Sequence, residues 1–202
     1  MGFGAAAELR SDEAGAQRLE ALSRVLAGHQ GWSAEFDQEY IPAGMTMGEP
    51  AAGRVWLAWP DRALFHTGDP PYRLMGLSGR TVRLVDSADE TCDEHVLTDR
   101  EWERIPLAVV LDPRGAQLHF GVDDGGDNGI ILTPKEPGGV DSVEIILGDD
   151  DLPTEVVIRD PQGAVNRMRF RGWAPTAEPP GGCWLPEPPS GVPCVADQGA
   201  LD

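Results

Sequence analysis

Four histidines, three cysteines and two short acidic runs hold most of the reactive side chains in this 202-residue chain. Hydrolysis through a serine or cysteine nucleophile needs that residue in a recognisable setting beside a base. His29, His66, His95 and His119 stand in no such setting, and His66 and His119 read as polar-face residues of strands. Asp123, Asp124, Asp127 and Asn128 offer oxygen ligands of the kind calcium takes. They lack the spacing and closing glutamate of a calcium-binding hand, and with their glycines they read as a hairpin turn. Asp149-Asp150-Asp151 reads the same way. Arg167, Arg169 and Arg171 alternate with Met168 and Phe170, so they form a basic row expected to pair with acidic residues of neighbouring strands. The residues therefore predict no enzyme, no cofactor and no metal.

The cysteines divide. Cys183 and Cys194 flank a Pro- and Gly-rich stretch, and a disulfide between them would close a short loop in a segment with little core of its own. That bond suits an oxidising compartment. Cys92 stands alone among Asp89, Glu90, Asp93 and Glu94, whose charges disfavour a thiolate.

A formal net charge of −18 argues against nucleic acid and against anionic membrane surfaces. No stretch approaches the ~20 apolar residues that cross a bilayer. The opening Met1-Gly2-Phe3-Gly4 has neither the basic nor the apolar region of a signal peptide, which suits a cytosolic protein or a mature form whose leader has been removed.

The elements that carry these residues are mostly strands. Trp32, Ala34 and Phe36 fall on alternate positions, as do Val55, Leu57 and Trp59, then Leu118, Phe120 and Val122, then Val143, Ile145 and Leu147. Alternation gives each strand one apolar and one polar face, and Gly, Pro and Asp turns chain such strands into a large antiparallel sheet. Strands are predicted over 32–40, 53–60, 64–67, 72–77, 81–86, 94–97, 117–122, 129–133, 140–147, 155–159 and 165–173. A helix is predicted over 11–27, capped by Ser11, ended by Gly28, and striped by Leu19, Leu22, Val25 and Leu26. A second, shorter one is predicted over 105–111, opened by Pro106 and apolar throughout. Residues 1–10 are expected to be disordered, 11–175 to form one domain, and 176–202 to be a Pro- and Gly-rich extension.

The order of these features resembles one family. Trp32-x-Ala34-x-Phe36-x-Gln38 is followed by Gly53-Arg54-Val55-Trp56-Leu57-x-x-Pro60 and Ser78-Gly79-Arg80-Thr81-Val82. Then come the Pro-initiated helix, Leu132-Thr133-Pro134-Lys135, and Leu152-Pro153 ahead of Asp160-Pro161-Gln162-Gly163. Pro188-Pro189-Ser190-Gly191-Val192 closes the series. Over roughly 11–197 the chain resembles the LolA-like periplasmic carriers of outer-membrane lipoproteins.

The resemblance implies an α+β, mainly β fold: a strongly curved, unclosed antiparallel half-barrel whose concave face is covered by helices. It further implies an apolar cavity for lipoprotein acyl chains, lined by Trp32, Phe36, Val55, Leu57, Trp59 and Phe65, with Leu107, Val110 and Leu111 on a lid-like helix. Partners would be an inner-membrane donor and an outer-membrane acceptor, the protein a monomer, and its compartment the periplasm. Two positions depart from the pattern. Trp59 stands where those carriers typically have an arginine that latches sheet to lid, and Ala63 replaces a bulkier apolar residue. The alternative is a non-catalytic sensor or scaffold of the same fold, with a filled core, that binds another protein.

Overall fold

Apolar alternation does most of the folding work. The computed structural model describes residues 3–102, 111, 113–176 and 178–196. Helix α1 (Phe3–Leu26) leads into a meander of six strands: β1 (Gly31–Ile41), β2 (Glu49–Ala58), β3 (Arg62–Thr67), β4 (Arg73–Ser78), β5 (Thr81–Asp86) and β6 (Thr91–Val96). Two short helices follow, α2 (Asp99–Trp102) and α3 (Pro113–His119). A second meander comprises β7 (Phe120–Asp124), β8 (Gly129–Pro134), β9 (Ser142–Leu147), β10 (Pro153–Arg159) and β11 (Val165–Pro175). The two-residue strand β12 (Val195–Ala196) comes last.

These strands make one unclosed sheet in the order β12-β6-β5-β4-β3-β2-β1-β11-β10-β9-β8-β7. Pairing is antiparallel throughout except between β12 and β6, which run parallel. The first and last strands of the two meanders, β1 and β11, join the halves, with Phe36 opposite Phe170. The sheet is a curved half-barrel with helices on its concave side.

Its buried face holds two adjoining clusters. Leu19, Leu22 and Leu26 of α1 pack on Ile130, Leu132, Val143 and Ile145. Ala34, Phe36, Val55, Leu57, Ala63 and Leu77 form the other, with Leu111 upon them. Trp59, Phe170 and Trp173 touch both. Each aliphatic side chain fully buried this way contributes ~1.5–3 kcal/mol.

The outer face is ionic across β10, β11, β1 and β2. Arg169 pairs with Glu155 at 3.0 Å, Arg167 with Glu39 and Glu155 at 3.2 Å, Arg171 with Glu35 at 3.3 Å and with Asp37, and Arg54 with Glu35 at 3.0 Å. The arginine row thus finds the cross-strand acidic partners expected of it. The 123–128 run is the β7–β8 hairpin turn, with Gly126, Asp127 and Asn128 all at positive φ.

Four expectations need correction. First, the disulfide joins Cys92 of β6 to Cys194, and Cys183 is a free, exposed thiol. The extension is therefore stapled across the sheet rather than to itself. Second, α1 starts at Phe3, so residues 3–10, expected to be disordered, are helical and Ser11 lies inside the helix. Third, the strand expected over 117–122 begins only at Phe120, because 117–119 finish α3. Fourth, β12 was not expected. The helix predicted over 105–111, with Leu107 and Val110, lies outside the described residues except for Leu111.

Candidate functional site

The concave face is built by side-chain parity. In β1, Trp32, Ala34 and Phe36 point inward. In β2, Val55 and Leu57 do, while Trp56 and Ala58 point to the other side. Ala63 and Phe65 of β3 and Leu77 of β4 continue the lining. In β11, Met168 and Phe170 share one parity and Trp173 the opposite one, yet all three face inward. A bulge permits this. Gly172 has φ 66°, and the β1–β11 register shifts between Ser33 and Glu35. The extra residue rotates the chain so that Trp173 joins the lining, where its indole N–H donates to the Pro153 carbonyl at 2.7 Å.

Trp32, Phe36, Val55, Leu57, Trp59, Phe65 and Leu111 therefore come together on one side of the sheet. Trp32 also donates its indole N–H to the Leu26 carbonyl at 3.1 Å, tying the end of α1 to the start of β1. Met168, Phe170, Trp173, Leu77 and Trp102 belong with them and were not singled out from the sequence. The Met168/Phe170 alternation was the available signal for the first two; the bulge hid Trp173.

The gap bounded by Leu26, Gly31, Trp32, Leu57, Trp59 and Leu111 has a volume of about 10 Å³, at most room for one water. It lies on the seam between the clusters, where the end of α1 meets Leu111. Among the described residues no polar or charged side chain is buried. Nor do three His, Cys, Asp or Glu side chains gather, among those residues, in a group that could hold a metal. The packed face among the described residues is apolar, and a ligand held there would be held by burial.

Among the described residues, the carboxyls with shifted titrations lie away from this lining. The Arg18 guanidinium on α1 pairs with Asp124 and, with the Gly126 N–H, holds that carboxyl below its usual range. The Thr98 N–H and hydroxyl, then His95, lower Glu101. Arg73, then the Asp89 and Ala88 N–H groups, lower Asp86. His66 sits on the outer side of β3 against Tyr72, and His119 ends α3 before the edge strand β7.

With this geometry in view, comparison with known proteins is decisive. A family model described as outer membrane lipoprotein carrier protein LolA matches residues 27–181. The chain belongs to the LolA family. An outer-membrane lipoprotein carrier protein of Xanthomonas campestris pv. campestris (strain B100) is 26% identical over 164 residues, 78% of this chain and 76% of the relative. Among solved structures, a LolA superfamily protein of Nitrosomonas europaea has TM-score 0.47 at 9% identity, covering 83% of this chain and 96% of that one. A chain of the Pseudomonas aeruginosa MucA/MucB complex has TM-score 0.46 at 18% identity, covering 80% of this chain and 59% of that one. LolA family members are carriers rather than enzymes. The family match includes every strand of both meanders. It leaves out all of α1, as well as Trp184 and Cys194 of the extension.

Proposed function

We propose that this protein is a periplasmic carrier that takes up the acyl chains of a lipoprotein, or of a related amphiphile, between its concave sheet and the segments that cover it. The observation that supports the reading is an apolar concave face covered by apolar side chains of α1 and by Leu111. Leu111 and the end of α1 meet the sheet through apolar side chains, so entering methylenes can replace those contacts at little cost. Each methylene buried contributes ~0.8 kcal/mol, enough for useful affinity without a polar anchor. Between the end of α1 and Leu111 the gap of about 10 Å³ admits no chain, so uptake there displaces those covers and cargo selects an opened conformation. Lining residues are Trp32, Phe36, Val55, Leu57, Trp59, Phe65 and Leu111, with Leu107 and Val110 on the cover. The carrier acts as a monomer between an inner-membrane donor and an outer-membrane acceptor. The Cys92–Cys194 bond suits the oxidising compartment this requires.

The close burial of Phe36, Val55, Ala63 and Leu77 favours a second reading: a scaffold of the same fold whose filled core never opens. Native mass spectrometry of the purified protein separates the two. A co-purified lipid or acylated peptide, lost in Leu57→Gln without loss of fold, supports the carrier. A clean apo mass that persists after incubation with acylated peptide supports the scaffold.

A further inference from the structure

After β6 the chain leaves the sheet and lies against the concave side at Trp102 and Leu111, both packed on the cluster around Phe36 and Leu77. Those apolar contacts are the ones that methylenes can replace. The contacts that an acyl chain cannot replace are polar, and they gather at α2. Arg80 occupies the two-residue turn between β4 and β5, fixed by Gly79 at φ 61°. Its guanidinium lies 4.5 Å from the centroid of the Trp102 ring, and its Nη2 donates to Asp99 at 3.2 Å. Its backbone carbonyl accepts the Leu97 N–H at 2.8 Å. From β6, His95 Nε2 lies 3.1 Å from Glu101 Oε1. The other Glu101 oxygen accepts the Thr98 N–H at 2.7 Å and hydroxyl at 2.8 Å, and Thr98 Oγ1 accepts the Glu101 N–H at 3.2 Å. A four-residue helix does not hold itself together in water. Here it is capped at its start and held to the sheet at two points, which presents Trp102 to the lining.

We propose that Arg80 and His95 are positioning residues that latch α2, and Trp102 with it, onto the sheet, and so set how readily the concave face opens to an apolar chain. This rests on the carrier reading. Removing a latch enlarges the open fraction, and apparent affinity rises with that fraction while the closed state dominates. Arg80→Ala is therefore expected to bind a diacylated peptide about twofold to fivefold more tightly than wild type, as loss of one exposed cation–π contact implies. Arg80→Lys, which keeps the cation, is expected to fall between. Damage to the fold would weaken binding instead.

The test uses two readouts on wild type, Arg80→Ala, Arg80→Lys and His95→Leu. One is amide exchange at Trp102, whose N–H bonds to the Thr98 carbonyl at 3.0 Å. The other is titration with the diacylated peptide. Faster exchange at Trp102 in Arg80→Ala and His95→Leu, with β1 and β2 amides unchanged, supports the latch. Unchanged exchange at Trp102 overturns it, whatever the binding. Faster exchange with no peptide bound by any variant leaves the latch standing and removes the carrier reading. Faster exchange with unaltered affinity overturns the coupling of latch to cargo.

Discussion

Cys92 and Cys194, 102 residues apart in sequence, are joined across the edge of the sheet, where β12 pairs with β6. The bond fixes the far end of a strap that crosses the outer face. Trp184 of that strap packs with Trp56, Ala58 and Leu64, the outward-facing residues that alternate with Val55, Leu57 and Ala63 of the concave face. Arg83 donates to the Pro186 carbonyl at 3.1 Å further along. Closing so long a loop restricts the unfolded chain, and losing a native bond of this kind costs about 2–5 kcal/mol. Cys194→Ser is expected to lower stability by that amount in urea unfolding. Alkylation of the native protein is expected to label Cys183 alone.

Gly76 lets the strap approach. A Cβ there would overlap the Trp184 carbonyl and the Pro186 ring. Gly76→Ala is expected to expel the strap while leaving the concave face intact. Trp184 fluorescence should shift to longer wavelength, and stability should fall by about 3 kcal/mol, the order of losing a buried tryptophan. A shift without loss of peptide binding would confine the strap's role to bracing.

Helix α1 meets β7 at Gly15, where a Cβ would overlap the Asp123 carbonyl. Alanine in an isolated helix is favoured over glycine by ~0.5–1 kcal/mol. Against β7 the steric term dominates, and Gly15→Ala is expected to destabilise by about 1–3 kcal/mol in urea unfolding. A stabilised variant would mean that α1 is not docked here.

The strands, the β1–β11 arginine row and the hairpin at 123–128 were legible because each follows from local alternation or turn chemistry. Long-range choices were not. Cys183 lies near Cys194 in sequence, yet seating Trp184 on β2 and β3 carries the strap toward β6, where Cys92 waits. A lone cysteine in a strand, together with a tryptophan in a Pro-rich extension, was the overlooked signal. Leu118 continued the alternation of Phe120 and Val122 but is 72% exposed at the end of α3. Trp173 was out of phase until the Gly172 bulge reset it. The inward-facing apolar set was legible through parity in β1, β2 and β3, but the contacts at α2 join separate elements.

Asp86, Glu101 and Asp124 all have folded-state carboxyls below their ordinary values of 3.8, 4.5 and 3.8. The unfolded chain therefore takes up these protons first as pH falls. The stabilisation is complete above the ordinary carboxylate range and disappears as pH passes down through the lowered values. The thermal midpoint of wild type is expected to fall below about pH 4.5 more steeply than that of Asp124→Asn. Comparing the two cancels the general effect of discharging an acidic protein. Parallel curves would contradict a role for the Arg18–Asp124 pair in docking α1.

The central claim is that the concave interior opens to hold acyl chains. A photo-cross-linking amino acid at Phe65, on the lining, and at Arg54, on the outer face, tests it most directly in the presence of a lipoprotein or diacylated peptide. The expected result is cross-linking to the acyl chain from position 65 and none from 54. No adduct from 65, or equal adducts from both, would contradict a cargo-bearing interior and leave the filled scaffold.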